Sequence, residues 1–208
     1  MARVFHKGRL TIAVAALHFV AALGAGSAAQ TPTEQKFYKE WKVDDLLPSV
    51  KDLGVGHDFI LGRELFRKTG CGVCHAFGSE SEGTGLAPDL TAVSSKMTRD
   101  AILRDILEPS ATLNGQFFHT AFTMKDGTVV TGSVIDIVDK KTIIVAPVMM
   151  NPQATVEIAA ADVKSEAPSP LSPMPAGLLN ELTKEQVVQL MAYLESGGDR
   201  NAPIYSKK

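Results

Sequence analysis

Two cysteines stand three positions apart, Cys71 and Cys74, with His75 directly after them, and the 208-residue chain holds no other thiol. That pairing limits what can fold here. One disulfide is the most this chain can make, so its stability must come from a hydrophobic core rather than from cross-links. A composition of 45% hydrophobic and 21% charged residues can supply that core. The length allows one domain, or one domain carrying a large insertion. A formal net charge of -2 offers no basic surface for nucleic acid.

Cys71-Gly72-Val73-Cys74-His75 has the C-x-x-C-H spacing that attaches c-type haem. Thiols one helical turn apart can each add to a haem vinyl group, and the adjacent histidine is then held under the iron. Two other uses of the spacing weigh less. Structural zinc needs about four Cys/His ligands, and besides His75 only His57 and His119 lie beyond the N-terminal stretch. A thioredoxin-like dithiol expects a βαβ setting, whereas these flanks read as helical and glycine-rich. One motif implies one haem c, bound covalently through Cys71 and Cys74.

The sixth iron ligand decides between electron transfer and small-molecule binding. Met174 is the leading candidate, because Pro173 and Pro175 restrict its backbone in an irregular loop. Met191 falls on the apolar face of a helix, Met97 at a helix start, and Met124, Met149 and Met150 in a strand-rich stretch where packing is the better use. His119 and His57 are the bis-histidine alternatives.

Residues 1–29 read as an export signal: Arg3, Lys7 and Arg9, then apolar Leu10 to Ala25, then Gly26-Ser27-Ala28-Ala29. The 16-residue apolar stretch is short of the roughly 20 that span a bilayer; an uncleaved anchor is the alternative. The signal implies a periplasmic protein with no stable membrane insertion after cleavage. Without those 29 residues the chain carries 18 basic and 23 acidic groups, a net charge of -5.

Helices are expected over 30–50, ending near Pro48; over 58–68, running straight into the motif; over 98–108, stopped by Pro109; and after Thr183. Thr183 and Gln186 make a capping box there, with Leu182 and Val187 as a hydrophobic staple. Residues 114–167 change to strand periodicity, with turns at Asp126-Gly127 and Asp139-Lys140, strands near 118–124, 128–138 and 142–148, and a fourth near 154–158. A Pro/Ser-rich linker follows, from Ala167 to Pro173. The expected segments are a signal (1–29), a helical arm (30–56), the motif half (57–113), a β insertion (114–167), the methionine half (168–200) and a tail (201–208).

Gly62-Arg63-Glu64-Leu65-Phe66, the C-x-x-C-H motif, Ala87-Pro88-Asp89-Leu90-Thr91, Pro173-Met174-Pro175 and Leu182 through Leu194 together resemble a class I cytochrome c domain. More narrowly, the chain resembles the haem-binding domain of planctomycetes and verrucomicrobia. There a β segment, here bearing Asp126-Gly127 and Gly132, separates the motif half from the methionine half. Trp41 through Leu46 also fits, and the resemblance covers nearly all of residues 37–197. His75 and Met174 are 99 positions apart; without the 54-residue insert, 45 remain, ordinary for the class.

The resemblance implies a mainly α cytochrome c fold around one haem, interrupted by a small antiparallel, SH3- or Sm-like β insertion. It implies that the Pro88 carbonyl accepts a hydrogen bond from the His75 ring. It also departs at Ala87, where the family has glycine. The expected function is a mono-haem electron carrier, not an enzyme. Its partners would be redox proteins: an exported dehydrogenase, an oxidase or another cytochrome. A haem-based gas sensor or small-molecule-binding protein with an open sixth site is the alternative.

Overall fold

The computed structural model describes residues 37–78, 86–113, 115–146 and 154–207. The signal, Met149 and Met150 lie outside them. The helices are short: α1 Val43–Lys51, α2 Phe59–Lys68, α3 Cys71–Cys74, α4 Val93–Lys96, α5 Arg99–Leu107 and α6 Lys184–Glu195. Between α5 and α6 run β1 Thr120–Met124, β2 Val129–Val138, β3 Thr142–Ala146, β4 Val156–Ala159 and β5 Val163–Pro168. They form one antiparallel sheet in the order β4-β3-β2-β1-β5.

The expectation of a mainly α cytochrome fold is therefore wrong. Among the described residues six short helices stand beside a five-stranded sheet, and each part has its own core. The helical core is built on Leu46, Val50, Leu103, Leu179, Leu182, Leu190 and Met191. Phe122, Met124, Ile143, Val145 and Ile158 form the other, inside the sheet. The β segment buries enough of its own apolar surface to be a structural layer rather than a graft on a helical protein.

The strand the sequence hid is β5. Val-Lys-Ser-Glu-Ala-Pro lacks apolar alternation and stays mostly exposed. It forms because the outer edge of β1 carries backbone groups that need partners, and residues 163–168 supply them. β2 serves both halves of the sheet, bonding β1 through residues 129–132 and β3 through 133–138, with a register shift between Val134 and Asp136. That bulge bends the sheet over its core.

The first helix also differs. Tyr38 and Lys39 donate their N–H groups to the Asn180 carbonyl, at 2.8 and 3.1 Å, which keeps the arm irregular until Val43. Pro48 then lies inside α1 rather than ending it. It costs about 3 kcal/mol in a helix interior. Leu46 and Val50, both fully buried, return roughly 1.5–3 kcal/mol each, so the helix continues to Lys51.

The last helix has the expected start. Gln186 N–H donates to Thr183 Oγ1 at 3.3 Å, Thr183 N–H donates to Gln186 Oε1 at 2.9 Å, and Leu182 and Val187 are both fully buried. Among the described residues no helix is long and apolar enough to cross a membrane.

Candidate functional site

Asp58 starts α2 by accepting from the Ile60 and Leu61 N–H groups at 2.8 and 3.1 Å. The helix stops at Thr69, and Gly70 takes a left-handed conformation (φ 78°) that turns the chain into α3. Thr69 Oγ1 donates to the Leu65 carbonyl at 2.8 Å and lies 3.2 Å from Cys71 Sγ. Cys71 and Cys74 are not joined in a disulfide. Burial pushes both thiols above their ordinary pKa, with the Thr69 contact partly opposing this at Cys71. At neutral pH both are therefore held in the protonated S–H form.

The chain after α3 folds back along itself. Ala87 N–H donates to the Cys74 carbonyl at 3.2 Å, Leu90 N–H to the Ala76 carbonyl at 2.9 Å, and Gly78 N–H to Thr91 Oγ1 at 2.9 Å. This clamp carries Pro88 to the histidine: its carbonyl lies 2.7 Å from His75 Nδ1. A carbonyl only accepts, so Nδ1 bears the hydrogen. Burial holds the His75 pKa below its usual value, against the smaller opposing effect of the Pro88 bond. In the resulting neutral ring Nε2 keeps its lone pair, the form a metal requires. Ala87 has no positive φ, so the loop does not need the glycine that the resembling family carries there.

Beneath the motif lies an aromatic cluster. Phe66 stacks on Phe77 with centroids 5.1 Å apart, and Tyr193 on α6 meets Phe66 at 5.7 Å and Phe77 at 4.9 Å. A Cβ at Gly72 would lie 3.3 Å from the Phe66 ring, so α3 rests directly on it.

Met174 is half-buried against the helical core, to which Cys71 also belongs. Two and three residues beyond it, Ala176 and Gly177 join Leu178, Glu181 and Leu182 across from Lys68 and Thr69, around a cavity of about 210 Å³. The methionine loop and the entry to the motif thus share one side of the helical part. Met191 is core and Met124 belongs to the sheet interior, while Met97 packs on the helical core. His57 Nε2 donates to the Leu53 carbonyl at 2.5 Å. His119 precedes β1, with Nε2 buried and without a hydrogen-bond partner.

Cys71, Cys74, His75 and Pro88 are thus brought together. Sequence reasoning missed Thr69, whose only signal was its place two residues before Cys71. Among the described residues, no three His, Cys, Asp or Glu side chains are grouped to hold a metal ion between them. The donor chemistry on offer is two protonated thiols one turn apart and one neutral imidazole, which suits a covalently held haem. No protein-family model matches the chain, and no characterised protein matches its sequence.

Proposed function

We propose that this chain is an exported c-type cytochrome in the chemical sense, holding one haem c and passing single electrons between an exported dehydrogenase and a downstream acceptor. The observation that carries this is the 2.7 Å bond from His75 Nδ1–H to the Pro88 carbonyl, beside two cysteines at C-x-x-C spacing on the one turn of α3. That bond fixes the tautomer and leaves Nε2 as the atom that would coordinate the iron. The iron, when bound, would cycle between ferrous and ferric.

Cys71 and Cys74 would each add S–H across a haem vinyl group, sulfur bonding one carbon and hydrogen the other, so no oxidant is consumed. His75 would supply the proximal ligand and Met174 the distal one. Methionine ligation raises the potential and closes the sixth position, as a carrier needs. The Phe66–Phe77–Tyr193 cluster packs directly under α3 and would give a bound group a rigid support. The N-terminal pattern supports export to the periplasm, and the mild net negative charge suits a positively charged partner surface in a small, transient redox complex.

The test is the absorption spectrum of the purified protein. A weak far-red sulfur-to-iron band in the oxidised form, lost in Met174→Ala, and no response of the reduced form to carbon monoxide are expected. A high-spin spectrum or ready carbon monoxide binding would overturn the carrier reading and favour a gas-binding protein.

A further inference from the structure

The loop that carries Met174 has an unusual economy of hydrogen-bond donors. In residues 169–175, Pro170, Pro173 and Pro175 have no N–H. Four amides remain besides them, and all four are used. Ser169 N–H donates to the His119 carbonyl at 2.7 Å. Leu171 N–H donates to Ser169 Oγ at 3.1 Å, Ser172 N–H to Ser110 Oγ at 3.0 Å, and Met174 N–H to Ser172 Oγ at 3.1 Å. Three of the four acceptors are serine hydroxyls. Two of the bonds are long-range tethers: Ser110 follows α5, and His119 leads into β1, so both structural layers grip the loop.

We infer that Ser172 and Ser110 are positioning residues for Met174, and that their bonds keep the sixth iron position closed to outside ligands. This rests on the proposed haem ligation. Pro173 and Pro175 fix φ at their own positions, and the residue before each is confined to extended backbone. Residues 172 and 174 both precede a proline and are both held by serine hydroxyls. The loop therefore has one backbone conformation, and the thioether one origin. Without the serine acceptors the loop gains alternatives, and the methionine is displaced more readily. The β layer, through the His119 carbonyl, then helps decide what the iron can bind.

The experiment uses the haem-loaded protein as wild type and as Ser172→Ala, Ser110→Ala, Ser172→Thr and Met174→Ala. Ser95→Ala is the control, since its hydroxyl donates to the Ala92 carbonyl on an exposed turn. The readouts are imidazole affinity of the oxidised form, the far-red band and the melting temperature. Ser172→Ala and Ser110→Ala should each bind imidazole about fivefold to tenfold more tightly than wild type, the worth of one neutral hydrogen bond. Ser172→Thr should restore wild-type affinity, and Ser95→Ala should not depart from it. A lower melting temperature with unchanged imidazole affinity would make the serines merely structural and overturn the inference. A wild-type band that is absent, or that survives Met174→Ala, would overturn the ligation reading itself and this inference with it.

Discussion

Gly62 lies where α2 crosses α6, and its replacement by alanine tests whether that crossing supports the site. A Cβ built there would lie 2.7 Å from Tyr193 Cβ and 2.9 Å from the Gln189 carbonyl oxygen. Ordinary contact distances are about 3.5–4.0 Å, so the helices must separate by close to an ångström. Neither obstacle can rotate away, since one is backbone and the other a Cβ. Overpacking of this kind costs about 1–3 kcal/mol, and the blocked geometry argues for the upper end. Alanine recovers about 1 kcal/mol through better helix propensity. The net is a loss of about 2 kcal/mol, or a melting temperature lower by roughly 4–8 °C for a domain of this size. Thermal unfolding by circular dichroism measures it. The shift should be accompanied by altered near-ultraviolet signal from Tyr193 and Phe66, the rings under α3. An unchanged or raised melting temperature would refute the claim that the close crossing is required.

Two further outcomes follow from buried polar groups. Trp41 Nε1–H donates to the Leu182 carbonyl at 2.9 Å in the interior; Trp41→Phe should cost about 2 kcal/mol by orphaning that acceptor, read as a lower denaturant midpoint at unchanged slope. His119 is held neutral by burial, its pKa below the ordinary value of 6.5. The unfolded chain then binds the extra proton more readily, so stability is present above about pH 6.5 and falls as pH drops below it. Removal of the charge-bearing ring in His119→Leu should flatten this acid-side slope in urea titrations; a slope as steep as wild type would count against burial as its cause.

What could be read from the sequence was local. Thr183 and Gln186 are three residues apart and cap α6 as their chemistry requires. Asp126-Gly127 makes its turn, with Gly127 at φ 90° and Asp126 Oδ1 accepting from the Thr128 N–H. The resemblance pointed to the Pro88 carbonyl, which lies 2.7 Å from His75 Nδ1.

Features set by partners distant in sequence were not legible. Residues 163–168 carry no apolar alternation and became a strand only because β1 had a free edge. Treating the β segment as an insertion in a helical protein undervalued it, since Phe122, Val145 and Ile158 meet only after the sheet bends. Ser172 and Ser110, 62 positions apart, carry no periodic signal at all. Pro48 misled because the rule for proline ignores how much apolar surface the remaining helix buries.

The central claim is one haem fixed to this chain through Cys71 and Cys74. The direct measurement is the intact mass of the protein exported in a host able to mature c-type cytochromes, taken after acid and organic extraction. Wild type should retain the mass of a single haem, and Cys71→Ser with Cys74→Ser together should lose it. Two free, alkylatable thiols and no added mass in the wild-type protein would contradict the claim.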